Sequence, residues 1–263
     1  MRPLIKQRIW CLVMGLVVSI SSLAEDSQKP SQNGNVPSTA KSRSTEDSPT
    51  HRIQTNAVII EQAPKWLNRI RIDKVVKRLE RELEWTVRRI QLFMHNDSES
   101  FQEAHSLGPN VRAVTIKNPK QVKVHLGPQV QNDQFDQVFG HEIVHVIAYQ
   151  KYKKSIPKWL EEGLANHLAQ KPPVNYEWLA KQTLPENVES LSHPLRGSRK
   201  QAQVRYKASQ ALAEMLSEDC DLTNLLRLSV GRKMPTYIQT YCEISDLSAA
   251  FQKWVKTKAG KDS

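Results

Sequence analysis

The pattern of apolar and polar positions changes at about residue 51 of the 263-residue chain. The segment from Glu25 to about Thr50 is rich in Ser, Thr, Pro, Gln and Asn and contains almost no apolar residue. Such a segment cannot bury enough apolar surface to offset the conformational entropy that ordering would remove. We therefore predict a disordered tether over residues 25–52 and one folded domain over residues 53–263.

The first half of the folded region has strand patterns around one main helix. Between the first two strands, Ile70 to about Thr86 repeats apolar residues at helical spacing, with charged residues on the other side. Glu99–Ser106 predicts a short helix with Ser98 as its N-cap. The strand segments are short and either apolar or alternating; they are Ala57–Ile60, Ile90–Met94, Val111–Ile116 and Val122–Leu126. A small mixed sheet with an N-terminal helix is thus predicted over residues 53–128.

The second half of the folded region has only helical patterns. We predict no strand after Gly127-Pro128. Five segments have helical periodicity; they are Gln134–Tyr149, Lys158–Gln170, Val204–Ser217, Leu222–Leu228 and Leu247–Lys256. Residues 129–170 therefore form a helix pair and residues 171–263 a helical part. A small sheet followed by a helical half predicts an α+β fold.

The first 24 residues are typical of a secretory signal peptide. The segment has a basic start, an apolar stretch and then small residues at the positions that a signal peptidase inspects; these are Arg2, Lys6 and Arg8, Ile9–Ile20, and Ser22 with Ala24. The alternative is an uncleaved membrane anchor, although the apolar stretch is shorter than the ~20 residues that span a bilayer. We expect an exported protein that is periplasmic or secreted after cleavage of residues 1–24.

The charge of the chain bears on its partners. Removal of residues 1–24 takes away three positive charges and no negative one, so the formal net charge of +11 becomes +8. This excess suggests peripheral contact with an anionic envelope surface. The basic residues are not interleaved with aromatic residues as in a nucleic-acid platform, so no nucleic-acid partner is expected.

Two cysteines remain after removal of the signal segment, Cys220 and Cys242. An even pair in an oxidising compartment indicates a disulfide. This bond would close a loop of about 20 residues and stabilise the fold by about 3 kcal/mol. Spacing alone leaves open the alternative of two buried thiols.

The most specific chemical pattern is His141-Glu142-Ile143-Val144-His145. Residues four apart lie on one face of a helix, so His141 and His145 can bind one ion together. Imidazole is a good ligand for zinc. Glu142 lies about 100° around the helix from His141. This position is unsuitable for a third ligand but suits a general base that takes a proton from metal-bound water.

A third ligand is expected from the next predicted helix. A catalytic zinc site has three protein ligands and an open fourth position. After a basic loop over Lys151–Pro157, this helix carries Glu161, Glu162 and His167. Two antiparallel helices would then face one ion. Position along the chain leaves these three candidates open.

The two segments together resemble the gluzincin zinc metallopeptidases, particularly the bacterial peptidase MA-like group. After the His-Glu-x-x-His helix, this family has a proline, then Trp-Leu, one further residue, Glu-Gly and small apolar residues. The matching residues are Pro157, Trp159-Leu160, Glu162-Gly163 and Leu164-Ala165. The resemblance implies a zincin-like fold and assigns the third zinc ligand to Glu162. The metzincin pattern would need Gly and His where this chain has Ala148 and Lys151.

The resemblance also implies roles outside the ligand set. The family uses a Tyr or His from the C-terminal helical part to stabilise the oxyanion, which implies Tyr206 here, before the small and apolar residues of 208–212. A polar residue one turn after the ligand corresponds to Asn166, whose amide oxygen would accept a ring N–H of His141 or His145.

The segment Val122–Gly127 resembles the strand that precedes the active-site helix in this fold. In the family, an edge strand there pairs with an extended peptide substrate through main-chain hydrogen bonds. Lys123 and His125 project on one face of this segment, which would favour acidic substrates.

The expected function is therefore that of an exported zinc metallopeptidase with a peptide or protein substrate. Zinc would activate water and Glu142 would act as general base. Tyr206 would share the oxyanion with the zinc. The alternative is a non-catalytic, zinc-stabilised envelope binding or adaptor protein, in which Glu142 would have no use.

Overall fold

A computed structural model describes residues 50–105, 107, 111–188, 198–231 and 233–261, together with the backbone of Val18–Ile20. The rest of the predicted signal peptide and most of the predicted tether lie outside the described residues. Among the helices that are described, none has the length and apolar character needed to cross a membrane.

Five strands between His51 and Leu126 form a small mixed sheet, and the backbone of Val18–Ile20 lies at one edge. The strands are β1 (Val18–Ile20), β2 (His51–Gln54), β3 (Val58–Ala63), β4 (Ile90–Met94), β5 (Ala113–Ile116) and β6 (Lys123–Leu126). Their order is β1-β5-β6-β4-β3-β2. The β3–β4 and β4–β6 pairs are parallel and the others antiparallel. The strand β2, which the sequence pattern missed, begins two residues before the predicted domain boundary.

Nine helices occur among the described residues, and all but the first two follow the sheet. They are α1 (Arg69–Glu82), α2 (Ser98–Glu103), α3 (Phe135–Ile147), α4 (Lys158–Leu168), α5 (Tyr176–Ala180), α6 (Arg199–Asp219), α7 (Leu222–Leu228), α8 (Met234–Thr240) and α9 (Leu247–Lys261). The predicted α+β arrangement is thus confirmed. The two helices that periodicity missed, α5 and α8, have only five and seven residues.

Helix α3 lies in the middle of the core. It packs against α1, α4 and β5. Its apolar residues Ile143, Val144, Val146 and Ile147 are fully buried. A helix that is covered on all sides brings its polar residues into the interior as well. The His-Glu-x-x-His segment is therefore buried inside the protein.

Helix α4 packs closely against α6 at Gly163. A Cβ atom at this position would lie 1.9 Å from the carbonyl oxygen of Ser209 and 3.3 Å from the Cβ of Ala213. Only glycine permits this approach of two helix backbones. The glycine after Glu162 therefore sets the distance between the helix of the third predicted ligand and the helix that carries Tyr206.

Two predicted helix boundaries are wrong because the caps lie elsewhere. Helix α1 ends at Glu82, because Glu84 has a φ of 49° and Trp85 donates its N–H back to the carbonyl of Glu80 over 3.0 Å. The cap of α2 is Asp97 rather than Ser98, since the Asp97 carboxylate accepts the N–H of Ser100 over 2.8 Å.

The prediction that Val122–Gly127 forms an edge strand is also wrong. The strand β6 pairs with β5 on one side and with β4 on the other, so no substrate can pair with it. His125 is 7% exposed. It therefore does not form an exposed basic face with Lys123. The strand β5 packs against α3 and lies between β6 and the edge strand β1.

A disulfide joins Cys220 to Cys242, with their Cα atoms 5.1 Å apart. It connects the end of α6 to the segment after α8. The disulfide that the cysteine pair indicated is thus present in the structure.

Candidate metal centre

Three buried side chains from α3 and α4 converge on one point. The Nε2 atoms of His141 and His145 lie 3.1 Å apart, and Oε2 of Glu162 lies 3.6 Å from each. All three side chains have 0% exposure, and their ligand atoms lie within 4.8 Å of one another. The structure therefore brings the three predicted ligands together in a group that could hold a metal ion.

The connection between α3 and α4 returns the chain over this group. A π-helical turn over Ala148–Tyr152 continues α3, and Lys153 then takes a left-handed conformation with φ 55°. The Gln150 side chain anchors the turn, since it accepts the N–H of Arg88 over 2.8 Å and donates to its carbonyl over 2.9 Å. Helix α4 begins after Pro157 and presents Glu162 to the histidines of α3.

The predicted base, Glu142, is held by the sheet. Its carboxylate Oε2 accepts the hydroxyl proton of Thr115 over 2.6 Å. Both residues are fully buried. Thr115 lies in β5, so this strand fixes one side of the Glu142 carboxylate. The sequence pattern identified the strand but gave no signal for Thr115.

Glu161 contacts His145 at Nδ1, the ring nitrogen that faces away from His141. His145 Nδ1 lies 2.9 Å from Oε1 of Glu161, which is 3% exposed. The same carboxylate accepts Lys117 Nζ over 2.5 Å and Lys158 Nζ over 2.6 Å. A carboxylate at Nδ1 orients a ligand histidine so that Nε2 faces the ion. Glu161, a candidate third ligand in the sequence, therefore contacts His145 Nδ1 and is not one of the three side chains that converge.

Two other candidates do not join the group. The amide oxygen of Asn166 has no hydrogen-bond partner among the described residues, so its predicted bond to His141 or His145 is absent. His167 is partly exposed near the end of α4 and lies outside the group of three ligands. The role expected of Asn166 is taken by Glu161.

The charges around the group favour a cation. Burial alone would lower the pKa of His145, but the charge of Glu162 and the hydrogen bond with Glu161 raise it to about 9. Burial lowers the pKa of His141 to about 3. At neutral pH the metal-free group therefore has a cationic His145, with one proton more than the neutral ring, and a neutral His141. A divalent ion would take the place of that proton.

Tyr206 and Lys171 lie within electrostatic reach of the two carboxylates. Burial raises the pKa of Tyr206 well above its ordinary value, and the charges of Glu162 and Glu142 raise it further. Burial lowers the pKa of Lys171 to about 8, while the same two carboxylates oppose the change. The phenol of Tyr206 thus keeps its proton at neutral pH. Lys171, which follows α4, was not expected from the sequence.

No protein-family model matches this sequence, and a search of curated proteins finds no match. The chemistry of the group therefore rests on its own residues and geometry.

Proposed function

We propose that the protein is an exported zinc metallopeptidase of the gluzincin type with a zincin-like fold. One observation carries the proposal: His141, His145 and Glu162 converge on one point, with Glu142 next to His141 on the same helix. The resemblance to the gluzincins supports it further, because Glu162-Gly163 of α4 follows the His-Glu-x-x-His segment of α3 as in that family. The predicted signal peptide supports export.

The donor set suits zinc in composition and spacing. Zinc bound to imidazole or carboxylate at about 2.0–2.2 Å in tetrahedral geometry places its ligand atoms about 3.3–3.5 Å apart. The corresponding separations here are 3.1 Å between the His141 and His145 nitrogens and 3.6 Å from each to Glu162. Two nitrogens and one oxygen leave a fourth position for water or substrate, as catalytic zinc sites require.

Glu142 is suited to move protons. A bound zinc ion would lower the pKa of water and polarise the scissile carbonyl. Glu142 would accept a proton from the attacking water and deliver it to the leaving amine. The hydrogen bond from Thr115 over 2.6 Å keeps the carboxylate in one orientation for both transfers. A structural metal site needs no such base.

Tyr206 is suited to stabilise the oxyanion. Its phenol stays protonated, because burial and the carboxylates of Glu162 and Glu142 raise its pKa. A neutral donor in a buried site stabilises developing negative charge strongly. The contact of Gly163 with Ser209 fixes the helix α6 that carries Tyr206.

An extended peptide substrate would pair with β5. In a chain cleaved after Ala24, β1 is removed and β5 becomes the outer strand of the sheet next to α3. Main-chain hydrogen bonds along this edge would place the peptide near Glu142, which contacts Thr115 of the same strand. We propose a peptide or protein substrate for this reason.

The second candidate is a non-catalytic, zinc-stabilised envelope protein. The complete burial of His141, His145 and Glu162 favours it, because structural metal sites are closed. The formal charge of +8 on the mature chain would then serve contact with an anionic envelope surface.

Substitution of Glu142 by Gln separates the two candidates. In the mature protein we expect Glu142→Gln to keep its zinc while peptide hydrolysis falls by about 10²–10⁴-fold, the usual contribution of a general base. The control is Glu177→Gln, since Glu177 is exposed on α5 and lies outside the group. Unchanged hydrolysis in Glu142→Gln, or no hydrolysis by the zinc-loaded wild type on a broad peptide library, would contradict the peptidase proposal.

A further inference from the structure

A second pair of histidines lies on the opposite face of the sheet from the metal centre. Thr115 of β5 contacts Glu142 and is paired with Val124 of β6. Paired residues of antiparallel strands share a face, and successive residues alternate. His125 therefore projects away from α3. His95, which follows β4, lies beside it.

The ring nitrogens of this pair are as close as those of the metal centre. His95 Nε2 lies 3.0 Å from His125 Nδ1, compared with 3.1 Å between His141 and His145. Two imidazole nitrogens at this distance either share a proton or bind one metal ion together. The hydrogen bonds of each ring show which nitrogen is available for an ion.

The tautomer of His95 is fixed by Ser100 and Asp97. The Ser100 hydroxyl donates to Oδ2 of Asp97 over 2.9 Å, so it accepts a proton at its contact with His95 Nδ1, 3.2 Å away. His95 therefore carries its proton on Nδ1 and points the lone pair of Nε2 at His125. A carboxylate that orients a histidine through its other nitrogen is typical of metal ligands.

His125 is held rigidly but has an unsatisfied nitrogen. Its ring stacks on Phe93 with centroids 4.6 Å apart and an interplanar angle of 9°. Its Nε2 is buried and has no hydrogen-bond partner among the described residues. In the metal-free protein Nδ1 of His125 carries the proton and donates it to Nε2 of His95, so an ion bound at Nδ1 would shift this proton to the unsatisfied Nε2 of His125. Burial lowers the pKa of His125 to about 4, so the ring is neutral at neutral pH.

A third histidine nearby is not a ligand in this arrangement. His105 is 6% exposed and contacts Phe101 edge-on, with ring centroids 4.4 Å apart. Its Nδ1 accepts the N–H of Leu107 over 3.1 Å. The proton of the neutral ring is therefore on Nε2, which leaves no lone pair for an ion.

A cleft gives access to His95 from solvent, whereas His125 lies buried behind it. It has a volume of about 450 Å³, and His95, Asn96, Asp97, Glu61 and Gln62 are among the residues that line it. Water in this cleft could complete the coordination of an ion bound to His95. The acidic residues Glu61 and Asp97 favour a cation there.

We propose that His95 Nε2 and His125 Nδ1 bind a second divalent transition-metal ion, with water from the cleft as the remaining ligands. Imidazole pairs suit copper, zinc and nickel, and Cu²⁺ has the highest affinity of these in most nitrogen sites. This site has two protein ligands rather than three, so it binds more weakly than the group on α3 and α4. It is independent of the peptidase proposal.

The test uses Cu²⁺ as probe on the zinc-loaded mature protein. We expect one Cu²⁺ to bind while one zinc is retained, as measured by elemental analysis after removal of free ions. The electron paramagnetic resonance spectrum should show coupling to two imidazole nitrogens. His95→Ala should remove this Cu²⁺ and keep the zinc. Because His95 is only partly buried, this variant is the one least at risk of misfolding.

Two further variants sharpen the result. Ser100→Ala should weaken Cu²⁺ binding by about 10–100-fold, the usual effect of losing a residue that orients a ligand. The matched control is His51→Ala, an exposed histidine of β2, which should leave Cu²⁺ binding unchanged. Absence of Cu²⁺ from the zinc-loaded wild type, or full Cu²⁺ binding in His95→Ala, would overturn the proposal.

Discussion

Glu161 lies 2.9 Å from His145 Nδ1 and accepts hydrogen bonds from Lys117 and Lys158 on its two oxygens. The carboxylate is thus fixed before it orients the histidine. Lys117 directly follows β5 and Lys158 lies in the first turn of α4, so the contact connects the sheet to both helices of the metal centre. The rigidity of one proposed ligand therefore depends on residues that never touch the ion position.

Glu161→Gln tests this arrangement. An amide keeps the size of the side chain but removes the charge that orients His145 and neutralises Lys117. We expect zinc affinity to fall by about 10–100-fold. Lys117 is 5% exposed, and loss of its partner should lower the free energy of unfolding by about 3 kcal/mol. Competition with a chelator and denaturant unfolding measure the two effects.

The control for Glu161→Gln is Glu177→Gln, at an exposed position of α5. Zinc affinity equal to that of the wild type in Glu161→Gln would mean that this carboxylate does not orient the ligand.

Metal binding should depend on pH through His145. The pKa of this residue is about 9, because Glu162 and Glu161 outweigh the effect of burial. Zinc binding displaces this proton, so below pH 9 each bound ion releases one proton. The apparent affinity should rise about tenfold per pH unit from pH 7 to pH 9 and level off above it. Chelator competition across this range measures the slope, and a flat profile would show that His145 is unprotonated in the metal-free protein.

Gly163→Ala should destabilise the protein severely. The added Cβ would lie 1.9 Å from the carbonyl oxygen of Ser209, so the backbones of α4 and α6 must separate. We expect a loss of about 3 kcal/mol or more in the free energy of unfolding, at the upper end of overpacking costs. Denaturant unfolding with a spectroscopic probe measures it.

Gly140→Ala is the matched control, one residue before His141. There the nearest heavy atom to an added Cβ is 3.6 Å away, which is ordinary contact. Since alanine favours a helix interior over glycine by about 1 kcal/mol, this variant should be as stable as the wild type or more so. Equal stability of the two variants would refute the close approach at Gly163.

Reduction of the Cys220–Cys242 disulfide should weaken the helical part. The bond closes a loop with a sequence separation of 22 residues. Its loss should reduce the free energy of unfolding by about 3 kcal/mol. The Cys220→Ser, Cys242→Ser double variant is the reference. Reductant should lower the free energy of unfolding of the wild type to that of the double variant, and it should leave the double variant unchanged. A wild type that is insensitive to reductant would contradict this account.

The sequence predicted the parts of the site that lie close together in the chain. His141 and His145 followed from helical spacing, and Glu162 followed from the family resemblance. Thr115 and Lys117 could not be found in this way, because they reach Glu142 and Glu161 from positions 27 and 44 residues earlier in the chain. Their contacts arise from the order of strands in the sheet. The same long-range pairing decided that β5, and not β6, lies toward the sheet edge.

The most direct test of the central claim is the metal content and coordination of the mature protein. We predict one zinc ion per chain, with an X-ray absorption spectrum that shows two imidazole nitrogens and at least one carboxylate oxygen. Glu162→Ala should lose this ion, while Glu177→Ala should keep it. A purified, folded protein that takes up no stoichiometric zinc, or a Glu162→Ala variant that binds it as tightly as the wild type, would contradict the account.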